Sequence, residues 1–280
     1  MTGIVDESTY VESGNSIGAT MTSSSSANTQ GAWDEAIAST SEETYWVHFS
    51  ARINSVTDEP YLINIGVGAA ASEVVKVANI PYFNNLGFGQ LNIAFPLTIA
   101  NGARVAVQCQ CTGSSQPLNY TLKLSNDSSY GTSTSNETIG ADTSLSKGSV
   151  VDPGVTANTV GADTQLSSST GIAYNYFLLF MGNNDNNGQV MQDIIINWRE
   201  DNVNVMKFAH VSNGAETNSH AAAVWHTVPV STEVDVNAQS TYGTDTDRLM
   251  DIVCIGFAVT APAGGGSPSG ARNPLRGPIG

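Results

Sequence analysis

The feature that most constrains this chain is a two-residue alternation of apolar and polar side chains. It is clearest in residues 103–111, where one set of side chains lies on one face of an extended chain and a second set on the other: Val105, Val107, Cys109 and Cys111 against Arg104, Ala106, Gln108 and Gln110. Side chains of a β-strand point alternately to its two faces, so this pattern predicts a strand with one buried and one solvated side.

Further strand-like segments follow along the chain: 44–53, 60–67, 73–80, 90–99, 118–124, 173–181, 190–199, 203–211, 222–230 and 251–259. Turn signals such as Asn101-Gly102 separate them. A stretch of a dozen residues with a convincing helical period is missing from the sequence. We therefore predict an all-β protein.

The two groups of segments resemble two copies of one unit. Asn28-Thr29-Gln30-Gly31-Ala32 recurs 130 residues later as Asn158-Thr159-Val160-Gly161-Ala162. Three shorter matches keep the same order along the chain: 39–41 with 167–169, 60–65 with 192–197, and 96–99 with 229–232. This repetition predicts a duplication, with two tandem antiparallel, jelly-roll-like sandwiches.

Composition sets the predicted boundaries between these units. Long runs rich in Ser, Thr, Asn and Gly precede each group of strands, and a Pro- and Gly-rich stretch ends the chain. The predicted organisation is a polar N-terminal arm (1–30), a first β-sandwich (31–125), a polar linker (126–170), a second β-sandwich (171–260) and an extended C-terminal arm (261–280).

Charge and cysteine content exclude several functions. The chain has 10 Lys and Arg against 25 Asp and Glu, a formal net charge of −15, so it cannot neutralise many phosphates and nucleic acid is not an expected partner. Residues 1–7 show neither a basic nor an apolar leader region, and no apolar stretch is long enough for a membrane span, so neither secretion nor a membrane is expected. The three cysteines are predicted to be free, buried thiols of a protein made in a reducing cytoplasm.

The C-terminal arm allows two interpretations. Its density of Pro and Gly is typical of a disordered tail. Alternatively, because the arm is basic and the rest of the chain acidic, it docks on a neighbouring subunit through four anchors: Arg272, Leu275, Arg276 and Ile279.

Candidate sites for chemistry are few. The sequence holds no nucleophile elbow, phosphate-binding loop or zinc pattern, and we predict neither enzymatic activity nor a cofactor nor a metal. Two acidic groups, residues 183–188 and Asp245, Asp247 and Asp251, are either solvated hairpin loops or calcium sites. Three aromatic residues either stack on a sugar or plug the end of a sandwich: Tyr82, Phe83 and Phe88.

Three blocks within residues 31–124 resemble a module of tailed-phage structural proteins, especially those of marine phages. They are residues 31–40 followed by Tyr45-Trp46-Val47, residues 62–75 with Ile65-Gly66-Val67-Gly68-Ala69 and Ser72-Glu73, and residues 96–106 with Pro96-Leu97, Gly102 and Arg104. The second copy has lost this signature, since Asn197-Trp198-Arg199-Glu200 stands where Gly66-Val67-Gly68 would be.

The resemblance implies a non-catalytic component of a phage virion, assembled in the host cytoplasm. The expected role is a capsid decoration or cement protein, or a head spike or fibre base. Its expected partners are the major capsid protein or another virion protein, together with further copies of itself, as a trimer. A tail-fibre or tail-tip protein that binds host-surface glycans is the alternative, and a glycan-active enzyme is a third hypothesis.

Overall fold

A computed structural model describes residues 18–53, 59–83, 90–183, 192–212, 220–241 and 249–261. All regular secondary structure in these ranges is β-strand, and every strand pairing is antiparallel. Within the same ranges no helix is long and apolar enough to cross a membrane. The predicted all-β fold class is confirmed.

The first sandwich contains eight strands: β1 (Ala19–Thr22), β2 (Asp34–Ile37), β3 (Thr44–Ile53), β4 (Tyr61–Val67), β5 (Val74–Tyr82), β6 (Gln90–Ile99), β7 (Val105–Cys111) and β8 (Pro117–Ser125). They form two four-stranded sheets, in the orders β1-β8-β3-β6 and β2-β7-β4-β5. In this arrangement the first strand lies beside the last and the second beside the seventh, which is the strand order of a jelly roll.

The second sandwich repeats this order. Two connecting strands, β9 (Thr132–Ile139) and β10 (Ala141–Asp142), precede its eight strands: β11 (Lys147–Val151), β12 (Thr164–Ser167), β13 (Tyr174–Asn183), β14 (Gln192–Glu200), β15 (Val203–Ser212), β16 (His220–Val228), β17 (Val234–Ser240) and β18 (Met250–Thr260). Their orders are β11-β18-β13-β16 and β12-β17-β14-β15, with β10 added beside β11 and β9 beside β18. The chain is therefore a tandem pair of jelly rolls.

Equivalent hydrogen bonds support the duplication residue by residue. Asn28 and Asn158 both have a positive φ, of 54° and 58°. The amide of Asn28 donates to the carbonyl of Cys111 at 2.7 Å, and that of Asn158 donates to Ser240 at 2.8 Å. Asparagine tolerates this left-handed conformation better than most residues, which explains why it stands at both positions.

Thr40 and Thr170 make the same four hydrogen bonds in the two halves. The Thr40 hydroxyl donates to the Ala100 carbonyl and accepts from the Ala103 amide, while the Thr40 backbone bonds to Gly102 and Ala103. Thr170 repeats this set with its own partners: Pro229, Thr232 and Ser231. Each threonine thus ties the loop before the third strand to the turn between the sixth and seventh strands.

These equivalences correct the shorter sequence matches. Thr40 corresponds to Thr170, so 39–41 does not align with 167–169. Trp46 pairs with Pro96 and its counterpart Tyr176 pairs with Trp225, so Pro96 corresponds to Trp225 rather than to Pro229. The 60–65 match is shifted by one residue, because Asn64 pairs with Gln108 as Asn197 pairs with Asn237.

Short strands lie in segments that the sequence assigned to an arm or a linker. β1 precedes residue 31, and β9 to β12 all lie between residues 126 and 170. Two of these, β11 and β12, are integral strands of the second sandwich. These segments are built mostly from Thr, Ser, Gly and Asp, whose strand propensity is low except for Thr, and their pairing depends on partners far along the chain.

The strand β7 shows how the alternation is used. Val105, Val107, Cys109 and Cys111 all lie in the core, as predicted. The opposite face is solvated only in part, because Ala106 and Gln110 are buried. The Gln110 amide donates to the Thr143 carbonyl and the Ser146 hydroxyl, so the turn between β10 and β11 covers this end of the sheet.

An apolar junction joins the two sandwiches. Side chains on the outer face of the β11-β18-β13-β16 sheet belong to the core cluster of the first sandwich: Tyr176, Leu178, Phe180, Val253, Ile255 and Phe257. Phe257 stacks on Phe95 of β6 at 5.5 Å between ring centroids, and Phe83 packs directly on Gly182 of β13. A face of the second sandwich consequently packs against the edge of the first formed by β5 and β6, except at the start of β5, where Val74 and Val75 are exposed.

Candidate binding surface of the first sandwich

The glycines of the phage-like signature serve packing. A Cβ atom on Gly66 would lie 2.6 Å from the ring of Trp33, which covers the outer face of β4 at this point. In the second sandwich the registers place Arg199 at the position of Gly66, and Asp163 stands where Trp33 does. Arg199 and Asp163 form an ion pair, so the second copy has an ion pair where the first has the contact between the Trp33 ring and Gly66.

The charged residues of the signature bind one another. The Arg104 Nε donates to Glu35 Oε2 at 2.7 Å, and its Nη1 pairs with Glu73. Burial opposes ionisation of Glu73, but hydrogen bonds from its own backbone amide and from Arg104 hold the pKa of this carboxyl below its usual value. This cluster fixes the turn between β4 and β5.

Tyr82 and Phe83, two of the three predicted sugar-stacking residues, are buried in the core. The Tyr82 hydroxyl accepts a hydrogen bond from the Ile53 amide at 3.1 Å, and burial raises its pKa to about 12. Because protein atoms cover both rings, a sugar could stack on them only if the sandwich opened. Their position fits the alternative interpretation, that they plug the sandwich. Phe88 lies outside the described residues.

Several other sequence candidates fall outside the described residues: Asp245, Asp247, Arg272, Leu275, Arg276 and Ile279, with residues 184–188 of the calcium-like segment. Asp251 is described, and its placement corrects the prediction of a solvated hairpin loop. It lies within β18, is 3% exposed, and burial raises its pKa to about 7 despite the opposing effect of Lys147.

The cysteines are free and buried, as predicted. Burial raises the pKa of Cys109 to about 12 and that of Cys111 to about 11. A thiol with so high a pKa is a poor nucleophile, because the thiolate is the reactive form. Across the described ranges there is no cluster of three or more metal-ligating His, Cys, Asp or Glu side chains.

The outer face of the β1-β8-β3-β6 sheet is a polar surface built from regular strands, here called the polar sheet face. Its side chains are Thr20, Thr22, His48, Ser50, Arg52, Gln90, Asn92, Asn119, Thr121 and Lys123. Although the chain has 25 acidic residues, none of the four strands of this sheet contains Asp or Glu.

Strand register arranges the polar sheet face in rows. Lys123 and Ala94 flank His48, Thr121 and Asn92 flank Ser50, and Asn119 and Gln90 flank Arg52. Successive rows are about 7 Å apart, twice the rise per residue of a strand.

Hydrogen bonds hold several of these side chains in place. The Ser50 hydroxyl donates to Asn92 Oδ1 at 2.6 Å, Gln90 Nε2 donates to the same oxygen at 3.2 Å, and Thr20 Oγ1 donates to Asn119 Oδ1 at 2.7 Å. Because these groups are already ordered, a ligand would lose less side-chain entropy on binding.

A line of aromatic rings borders this face at the junction. Trp46, two residues before His48 on the same face of β3, contacts Tyr130 and Tyr176, each at 6.1 Å between centroids. Tyr176 contacts Trp225 at 4.9 Å and donates its hydroxyl to the carbonyl of Ala94. Trp46 and Tyr176 are buried, whereas Tyr130 is 52% and Trp225 44% exposed. We call Tyr130 and Trp225 the exposed aromatic pair.

Sequence reasoning missed this surface. Three of its four strands were predicted, and the absence of acidic residues from them is visible in the sequence. The position of the aromatic pair was not predictable, because Trp225 reaches the first sandwich only through the junction. His48 was correctly predicted as a sheet-face histidine; partial burial and then the charge of Lys123 lower its pKa.

A second polar cluster lies on the second sandwich. Glu200 Oε1 accepts a hydrogen bond from Trp198 Nε1 at 2.8 Å and lies 2.8 Å from His226 Nε2. Trp198 is fully buried and stacks on Phe177. The carboxylate thus joins a core tryptophan to a partly exposed histidine, which ties β14 to β16.

No protein-family model matches this sequence, and no curated protein matches it either. Solved structures do resemble it. They include PNGF-II, at 9% identity over 92% of this chain and 66% of that one, with a TM-score of 0.42, so this chain spans about two thirds of PNGF-II. PNGase F, a glycosylasparaginase from Flavobacterium meningosepticum, shares 11% identity over 90% of this chain and 94% of that one, with a TM-score of 0.38.

Viral proteins are also among the similar structures. The cryo-EM structure of broad bean stain virus shares 9% identity over 94% of this chain and 96% of that one, with a TM-score of 0.30. At such identities none of these likenesses assigns an activity, a ligand or a partner to this chain.

Proposed function

We propose that this chain is a non-catalytic structural component of a tailed-phage virion, a capsid decoration or cement protein or a head spike or fibre base. The observation that carries the proposal is the role of the phage-like signature in the fold. Gly66 leaves room for the Trp33 ring, and Gly68 adopts a φ of +142° in the β4–β5 turn. Arg104 forms ion pairs with two carboxylates. A signature whose residues pack and turn is typical of a structural module.

The joined sandwiches suit assembly on a repetitive surface. The apolar junction makes one body of two jelly rolls, and repeated weak contacts between many copies of such a body add up to stable retention. Val74 of edge strand β5 and its equivalent Val203 of edge strand β15 are exposed, and so are their neighbours Val75 and Val205. Exposed apolar edges favour contacts between copies, and we propose that the chain self-associates, as a trimer.

The test is reconstitution on phage particles that lack this protein. Purified full-length chain is added, free protein is removed by sedimentation, and bound copies are counted by quantitative mass spectrometry. We expect saturable binding to heads. A chain shortened after Ala261 should keep its melting temperature but bind less, because the removed segment carries the proposed anchors. Absence of saturable binding by the full-length chain would contradict the proposal.

The alternative is a tail-fibre or tail-tip protein that binds host-surface glycans. The observation in its favour is the polar sheet face with its exposed aromatic pair. Saturable binding to tails rather than heads in the same experiment would favour this alternative.

A further inference from the structure

The polar sheet face is an exception in the charge distribution of this protein. The formal net charge is −15, yet the face presents Arg52, Lys123 and His48 and its strands carry no carboxylate. In the other sheet of the same sandwich, one strand, β2, already contains two acidic residues, Asp34 and Glu35. An acidic chain that keeps one large face free of carboxylates has a surface complementary to an anion.

The same face has changed between the two halves. In the second sandwich several equivalent positions are apolar and form the junction, with Leu178 of β13 standing where His48 stands in β3, and Phe180 where Ser50 does. Asp251 stands where Asn119 does. In the first sandwich the ten side chains are polar, and all but the buried Asn119 are at least partly exposed. The duplication therefore produced one face that packs in the core and one that is built for polar contacts.

The chemistry of the face suits a carbohydrate. Its amides and hydroxyls supply both donors and acceptors, which match the hydroxyl groups of sugars. The cations supply partners for carboxylate or sulfate groups. From His48 to Arg52 the face extends for about 13 Å along β3, at the usual rise per residue, which is long enough for more than one sugar ring.

The exposed aromatic pair adds a stacking surface at one end. Trp225 packs on Tyr176, and Tyr130 packs edge-on against Trp46, so buried rings hold both exposed rings in place. Tyr and Trp rings combine an apolar face with one polar atom, so they suit ligands that have both apolar and hydrated parts. Sugars are such ligands, because their C–H faces are apolar and their hydroxyl groups are hydrated.

Two other classes of anionic ligand fit less well. Nucleic acid is bound through many Lys and Arg contacts to successive phosphates, and this face offers only Arg52 and Lys123 for such contacts. An acidic protein would need a central apolar patch, because the cores of protein interfaces are depleted of charge and rich in large apolar groups. The ten side chains of the polar sheet face include no large apolar residue.

We propose that the polar sheet face binds an acidic polysaccharide, with Arg52 and Lys123 contacting its acidic groups and the exposed aromatic pair stacking on its rings. This inference gives the glycan-binding alternative a ligand class and contact residues. It does not rest on the head assignment, because it concerns the purified chain and holds whether the protein sits on a head, on a tail or on neither.

The test is affinity electrophoresis and calorimetry of the full chain with a polyuronate, a sulfated polysaccharide and neutral dextran. We expect binding to at least one acidic polymer and not to dextran, with affinity that falls as salt rises. The double variant R52Q/K123Q should weaken this binding at least about tenfold, since it removes two charged contacts. Trp225→Ala should weaken it as well.

The matched control is K76Q/K207Q, which removes two exposed lysines from other surfaces and makes the same change in net charge. It should change the affinity by less than about twofold. Equal losses in the two double variants would overturn the proposal, as would an unchanged affinity of R52Q/K123Q or the absence of binding to both acidic polymers. Unchanged melting temperatures establish that each variant is folded.

Discussion

At the scale of single residues, the position of the Trp33 ring depends on the absence of a side chain at Gly66. Gly66 leaves room for the Trp33 ring, so Gly66→Val would drive a side chain into it. We expect a loss of about 1–3 kcal/mol in the free energy of unfolding, as for other overpacked sites. Urea unfolding measures it. In the Trp33→Ala background the same substitution should cost less, because the opposing ring is gone; an equal cost in both backgrounds would show that the ring does not require the glycine.

Asp251 makes stability depend on pH. Burial raises its pKa in the folded protein to about 7 from an ordinary 3.8, so between these values the folded state holds a proton that the unfolded state has lost. This proton contributes up to about 4 kcal/mol to the free energy of unfolding. The contribution is fully present at low pH and is lost as the pH rises through 7.

Asp251→Asn removes this titration. The difference in unfolding free energy between variant and wild type, measured in urea at pH 5 and pH 8, should grow in favour of the variant at pH 8. A difference that does not change with pH would mean that the carboxyl titrates normally. The comparison isolates Asp251 because all other carboxyls are present in both proteins.

At the scale of strands and loops, the two threonine ties are equivalent. Thr40→Val and Thr170→Val each remove a buried hydroxyl that bonds to a carbonyl and an amide, so each should cost about 1–3 kcal/mol. Chemical denaturation measures both. Thr29→Val serves as control, since this exposed hydroxyl donates only to the nearby Ala27 carbonyl. If Thr40→Val or Thr170→Val lowered the free energy of unfolding no more than the control does, the proposed equivalence of the two threonines would lack an energetic basis.

Long strands could be predicted from the sequence and short ones could not. The predicted bounds of 44–53 and 90–99 coincide with β3 and β6, because ten residues of alternation leave little freedom of register. β1, β2 and β12 have four residues each, too few to show a period. Their partners lie far along the chain, and that information is absent from the local sequence.

The candidate surface could be predicted in part from the sequence. The strands that carry Arg52 and Lys123 were predicted, and so was the sheet-face position of His48. The sequence placed the aromatic contribution at Tyr82 and Phe83 instead, because both residues stand next to loop-like sequence. Only tertiary packing shows that these rings point inward and that Trp225 lies beside Tyr176.

At the scale of the whole molecule, the junction should make the two sandwiches unfold together. Phe95 and Phe257 are both fully buried and stack across it. We expect one calorimetric transition for the wild type, and Phe257→Ala should cost about 3–5 kcal/mol. If the weakened junction no longer couples the halves, the variant shows two transitions. Two independent transitions in the wild type would contradict a continuous core.

We propose that this chain belongs to the outside of a phage particle. The most direct test is gold labelling of intact particles with antibodies against the purified chain, together with its copy number per particle from quantitative mass spectrometry. We expect label spread over the head at many copies per particle. Label confined to the tail at a few copies would contradict the head assignment, and particles that carry none of the protein would contradict the virion role itself.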